Sequence, residues 1–157
     1  MNKSSIPVAQ KEALGMLIDD HRKAKKLFKE FESEKDSEKK EGIAREVCMQ
    51  LTVHTRLEEE YFYPALREQD PEAFDDLLNE ATVEHASAKE LIAQIEGSGP
   101  SDPLWEAKVT VLGEYVNHHV EEEENEMFTL VIDKKIDLRE IAQSMMQRKE
   151  ELMATAA

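Results

Sequence analysis

The chain has 157 residues, 35% charged and 40% apolar, with only five Gly and five Pro; this fits one domain of long helices that buries about two-thirds of its unfolded surface. A formal net charge of −15 repels phosphate backbones and anionic lipid, which argues against nucleic acid and membrane as partners. No apolar run is long enough for a membrane span and nothing at the N-terminus reads as a secretory signal, while a lone Cys48 excludes an internal disulfide or a thiolate metal cluster; together these point to a reducing, cytoplasmic setting.

In chain order, Leu14, Leu17, Ile18, Ala24, Phe28 and Phe31 recur at helical spacing around His21, and the polar run 33–37 ends that segment. A second stripe holds Ile43, Val47, Leu51, His54, Leu57, Glu58 and Tyr61. It runs into Tyr63-Pro64, where proline is expected to kink or finish the helix. Asp70-Pro71 reads as an N-cap followed by proline at the first position of a third helix. That helix carries Phe74, Leu77, Leu78, Ala81, His85, Ala88, Leu91, Ile92 and Ile95.

The run 97–101 (Gly-Ser-Gly-Pro-Ser) is a loop. Asp102-Pro103 repeats the cap-and-proline signal and is expected to open a fourth helix through Val109, Leu112, Val116, His119, Glu123 and Met127. Asp137 and Glu140 form a candidate capping box for a shorter helix over about 137–153, with Leu138, Ile141, Ala142, Met145 and Leu152 on its stripe. The expected fold is all-α: an antiparallel up-down four-helix bundle over about residues 12–131 with a short additional C-terminal helix, in one domain spanning 1–157.

The sequence also repeats itself. The segment from His21 to Glu32 lies over that from His85 to Glu96, with Ala24/Ala88, Lys25/Lys89 and Leu27/Leu91 coinciding. The segment His54-Thr-Arg-Leu-Glu-Glu-Glu-Tyr-Phe-Tyr lies in turn over His119-Val-Glu-Glu-Glu-Glu-Asn-Glu-Met-Phe. Two similar helical hairpins are implied, with a histidine on every helix.

Four histidines on four apolar stripes would each need a buried partner, at a few kcal/mol for every one left unpaired. Two of them have a glutamate one turn later, His54/Glu58 and His119/Glu123, and such pairs share a helical face. Imidazole with carboxylate suits borderline cations such as Fe(II), Zn(II) or Mn(II). The count of four imidazoles and two carboxylates fits a dinuclear site better than a mononuclear one. No glutamate stands three residues before any histidine, as ferritin-like carboxylate proteins require, and no His-Glu-x-x-His occurs.

In this order, His21, His54-x3-Glu58, His85 and His119-x3-Glu123, together with the flanking strings 58–64 and 118–128, the chain resembles the hemerythrin-like (HHE cation-binding) family. The resemblance implies two iron ions between four helices with an oxo or hydroxo bridge. It makes Glu58 and Glu123 the bridging carboxylates, His21 and His54 the ligands of one iron, and His85 and His119 those of the other. Oxygen-carrying members have His-x3-His on the third helix, whereas Lys89 stands at that spacing from His85 here. Each metal is thus left with two histidines, a more open site suited to peroxide or other small ligands.

His118 competes with His119, and the repeat favours His119. Lys89 and Lys25 read as snorkelling lysines on the rim, with Lys89 reaching towards an open metal position as the alternative. Tyr61 and Tyr115 read as core residues that could point near the centre, and Cys48, Met145, Met146 and Met153 as packing residues. The leading functional expectation is a di-iron protein binding O2, NO or peroxide for sensing, scavenging or delivery. A di-iron peroxidase, catalase or oxygenase is one alternative, and an iron-handling or regulatory protein another.

Overall fold

In a computed structural model, which describes residues 1–156, the helices begin where the sequence supplies partners for orphaned backbone groups. Ala157, the last residue of the expected domain, lies outside the described residues. Helix α1 runs Val8–Ser33. Asp36 accepts the Lys39 amide and starts α2. This second helix is one rod in three parts: α-helical over Ser37–Leu57, π-helical over Glu58–Phe62 and α-helical again over Tyr63–Gln69. Asp70 accepts the Ala73 amide ahead of Pro71 and opens α3, Pro71–Glu96, as the cap-and-proline signal predicts. Helix α4 likewise comprises Trp105–Glu122, a π-helical stretch Glu123–Phe128 and a final turn Thr129–Asp133. Lys135, at φ 54°, takes the left-handed conformation that turns the chain out of α4. Helix α5 covers Arg139–Ala156.

Three local expectations are corrected. Pro64 does not finish the second helix. The π stretch resets the hydrogen-bond ladder, so the proline falls in the first turn of the next α-helical segment, where a missing N–H is tolerated. Asp102 caps a turn instead of a helix: it accepts the Leu104 amide, and α4 starts at Trp105. Asp137 accepts the Arg139 amide and guanidinium, but among the described residues Glu140 makes no reciprocal bond, and α5 runs on to Ala156.

Helices α1 to α4 close a ring in which each packs on the next and α4 returns to α1, while α5 lies across α1 and α2. The Leu138 amide donates to the Ala9 carbonyl, and Gln10 Nε2 to the Ile136 carbonyl, fastening α5 to the bundle. Gly113 marks a close approach of α4 to α1, since a Cβ there would stand 3.0 Å from Phe28.

The interior is split into two apolar clusters. One gathers Leu14, Leu17, Ile18, Leu57, Phe62, Leu66, Phe74, Leu78 and Phe128 with Leu138, Ala142 and Met145 of α5. The other holds Ala24, Phe28, Phe31, Val47, Cys48, Leu51, Ile92, Trp105, Val109 and Leu112. On every helix of the ring the histidine lies where one cluster gives way to the other, so a polar belt crosses the waist of the bundle. Each fully buried Leu or Phe contributes roughly 1.5–3 kcal/mol, and the two layers together sustain the charged belt between them.

Candidate metal centre

The structure brings all six residues singled out in the sequence into this belt. Their burial is nearly complete: His21, His54, Glu58, His85 and Glu123 are buried and His119 is only slightly exposed. The inner nitrogen, Nε2, of each imidazole faces a carboxylate: His21 to Glu123 at 3.1 Å, His54 to Glu58 at 3.3 Å, His85 to Glu58 at 3.2 Å and His119 to Glu123 at 3.3 Å. Two overlapping ligand groups result, His21/His54/Glu58/Glu123 and Glu58/His85/His119/Glu123, and in each the candidate ligand atoms lie within 4.8 Å of one another. Both glutamates belong to both groups.

The donor set fits a pair of cations. Nε2 of His21, His54 and His119, both oxygens of Glu58 and Oε1 of Glu123 are buried without a hydrogen-bond partner. Unsatisfied burial on this scale is costly, and two carboxylates enclosed side by side repel unless a positive charge lies between them. Protons partly fill that role in the metal-free chain. Burial pushes the His119 imidazole down, but Glu123, Glu58 and Glu84 more than offset it and lift it to about 10. His21, His54 and His85 are raised in the same way, against burial, by their carboxylate neighbours. Burial alone would raise Glu123, yet contact with Glu58, His119 and His21 holds it well below the usual carboxylate range.

Each outer nitrogen, Nδ1, meets its own carboxylate: His21 with Glu124 at 2.7 Å, His54 with Asp20 at 3.0 Å, His85 with Glu59 at 2.7 Å and His119 with Glu84 at 2.8 Å. Such an acceptor fixes the tautomer with the proton on Nδ1, leaves the Nε2 lone pair facing inward and raises its basicity. Two of these carboxylates lie on the π stretches. Glu58 and Glu123 each begin one, and the next residue, Glu59 or Glu124, reaches the histidine of a neighbouring helix.

The hemerythrin HHE cation binding domain family matches residues 13–131. The chain belongs to this family. A hemerythrin HHE cation binding domain-containing protein of Mycobacterium kansasii, whose crystal structure is known, shares the fold with a TM-score of 0.72 at 23% identity, over 88% of this chain and 85% of that one. A protein of Nostoc sp. named DNA nickase is 31% identical over 112 residues, which is 71% of this chain. The chain spans only 31% of that relative's length.

As an HHE domain, the chain is a cation-binding protein built as a helical bundle. No helix is long and apolar enough to cross a membrane among the described residues. Around the centre the structure sorts the ambiguous residues. His118 is exposed and pairs with Glu122. Lys89 stands on the rim, half exposed, with Nζ 2.6 Å from Glu59 Oε1, so the snorkelling reading holds and Lys89 supports Glu59. Lys25 is exposed. Tyr61 is half-buried against the α5-side cluster, and Tyr115 is exposed at the mouth of a cleft above the centre. Cys48 and Met145 are core residues and Met153 is partly buried, but Met146 is exposed, which corrects its reading as a packing residue.

The tyrosine inside the centre is Tyr63, which sequence reasoning missed. Its hydroxyl donates to Glu123 Oε2 and lies 3.3 Å from His85 Nε2. Burial, with the charges of Glu123 and Glu58, pushes its pKa well above the ordinary value, so it stays a neutral donor. Phe128 takes the equivalent place in the second hairpin and stacks on His21, with ring centroids 5.9 Å apart. The four outer carboxylates were missed as well. Asp20 and Glu84 sit immediately before histidines, one residue outside the first repeat, and Glu59 and Glu124 lie inside the second, immediately after the inner glutamates.

Proposed function

We propose that His21, His54, His85, His119, Glu58 and Glu123 hold two iron ions, with both glutamates shared, and that the pair takes a small ligand such as O2, NO or peroxide for sensing, scavenging or delivery. One observation carries this reading: the unpartnered inner atoms form two overlapping ligand sets beneath an apolar cleft. The cleft is lined by Ala24, Leu51, Ala88, Ile92, Val116 and Val120 above the four histidines, and encloses about 40 Å³. That is room for roughly two or three water-sized molecules, which admits a diatomic or a peroxide and turns away a large organic substrate. Bound iron supplies electron exchange with such a ligand.

The chain's own residues do the rest. The outer carboxylates orient the imidazoles, the cleft excludes bulk water, and Tyr63 holds a proton on its hydroxyl beside Glu123 and His85. That proton donor is the observation favouring a second reading, a peroxide-consuming enzyme. Nicking of DNA is not carried over from the Nostoc relative: a net charge of −15 repels the backbone, and most of that protein lies outside the match.

The test is metal analysis of the purified protein together with its visible spectrum, before and after O2, NO and peroxide. Two irons per chain and a spectrum that responds to a small ligand are expected. A chain holding one metal or none refutes the proposal.

A further inference from the structure

The four outer carboxylates are alike in one oxygen and differ in the other. Asp20 accepts His54 on one oxygen and Lys149 Nζ on the other, at 2.6 Å. Glu59 accepts His85 and, at 2.6 Å, Lys89 Nζ. Glu124 accepts His21 and, at 2.9 Å, the amine of Met1. Glu84 accepts His119 on Oε1, and among the described residues it forms no ion pair with any lysine, arginine or amine.

What stands beside Glu84 is a pair of candidate ligands. His118 and Glu122 lie one turn apart on α4, with Nε2 and Oε1 3.0 Å apart. Candidate ligand atoms of Glu84, His118 and Glu122 all lie within 4.8 Å of one another. Glu84 and Glu122 also line a narrow cavity of about 20 Å³ between α3 and α4, which reaches His119 and Glu123. Glu123, 2% exposed, lines the inner end, with Oε2 3.3 Å from His119 Nε2 and Oε1 3.1 Å from His21 Nε2, so the cavity ends on a carboxylate of the centre. Glu80 and Glu126 line the same cavity, and among the described residues neither has a basic partner.

We propose that Glu84, His118 and Glu122 form a capture site for a divalent cation, and that cations load the buried centre through the cavity behind it. The proposal rests on the reading that the centre holds metal. One imidazole and two carboxylates suit borderline divalent ions such as Fe(II), Co(II) and Zn(II). Exposure of His118 leaves room for water ligands that exchange as the ion moves inward. The cleft on the other side presents mostly apolar surface, with Lys89 among its lining, whereas five glutamates line the cavity between α3 and α4; a hydrated cation finds more replacements for its water in the cavity.

The experiment follows Co(II) uptake by chelator-stripped protein through its visible absorption in a stopped-flow instrument, with final metal content by elemental analysis. The variants are Glu122→Gln alone, His118→Ala combined with Glu122→Gln, and a charge control, Glu150→Gln, on the exposed end of α5. The double variant is expected to load about tenfold more slowly, the scale of local electrostatic focusing, and still fill the centre to the unaltered content. Glu122→Gln alone should slow loading by a smaller factor, and Glu150→Gln should load at the unaltered rate. A double variant that loads as fast as the unaltered protein overturns the capture site, as does a charge control slowed to the same extent. Failure of the unaltered protein itself to take up Co(II) overturns the metal-centre reading as well, so the two failures are told apart by that sample alone.

Discussion

Asp20→Asn isolates the contribution of one outer carboxylate to the centre. Asp20 is 9% exposed in its side chain and serves two cationic partners, His54 Nδ1 at 3.0 Å and Lys149 Nζ at 2.6 Å. Asparagine offers one carbonyl oxygen and an NH2 group in place of two equivalent oxygens, so it can accept from only one of them. A hydrogen bond to a charged group contributes about 1.5–3 kcal/mol. The lysine half is worth less than that, because Lys149 is 30% exposed and regains water on release. The histidine half falls on a buried ring, and losing such an acceptor weakens metal binding about 10–100-fold, or about 1.4–2.7 kcal/mol. Competition with a coloured chelator for Co(II) measures this directly. Asp20→Asn is expected to lose affinity in that range, and Lys149→Gln less than about threefold, since it leaves the carboxylate on His54. An Asp20→Asn protein that binds as tightly as the unaltered one would show that packing, and not the carboxylate, orients His54. Lys149 lies on α5, beyond the matched residues 13–131, so any effect there ties the added helix to the centre.

Glu58→Ala or Glu123→Ala should deplete both metals together, while His118→Ala leaves the final content unchanged, as elemental analysis would show; loss of a single metal from either glutamate variant contradicts the shared arrangement. In the chelated protein the four imidazoles have raised pKa values, His119 to about 10. Their stabilising charge is fully present below the unfolded value of about 6.5 and is lost as pH rises through the folded values. Calorimetry should therefore show the melting temperature of the metal-free protein falling between about pH 6.5 and about pH 10, with added Fe(II) restoring it most at the alkaline end, where ligand protons no longer compete. A pH-independent melt of the metal-free protein contradicts this. Burial raises the Cys48 thiol to about 12, so iodoacetamide at mildly alkaline pH should label the folded protein about 10³-fold more slowly than the unfolded chain; rapid labelling of the folded protein would place Cys48 outside the core.

The inner ring was legible because it obeys one period. His54/Glu58 and His119/Glu123 share a face at a spacing of four, their stripes are apolar, and the repeat confirms which histidine of the 118–119 pair points inward. What periodicity hides is a change of period. Counting on from Glu58 at 3.6 residues per turn places Tyr61 near the centre, but the π stretch widens the turn and the residue five positions on, Tyr63, arrives there instead. The outer carboxylates were illegible for another reason. Glu59 and Glu124 sit in acidic runs that look like solvated faces, and their partners are on other helices, a relation no single-helix pattern records. At Asp102 the cap chemistry was read correctly but two residues early, since an Asx turn and a helix N-cap use the same side-chain acceptor.

The two π stretches give the centre an unusual mutational profile. Each is a helix carrying one residue more than its length requires, and each residue turns an α-helix by about 100°. Deleting a single exposed residue, such as Asn125, from the α4 stretch would let the ladder close into regular α-helix. The rod would become more regular as everything beyond the deletion swings round by about that angle, carrying Phe128 off the His21 ring. Such a deletion removes the Phe128 wall of the centre in one step while leaving His119 and Glu123 in place, whereas substitutions at the same positions leave the register intact. The extra residue on each rod is thus what sets Tyr63 and Phe128 against the centre.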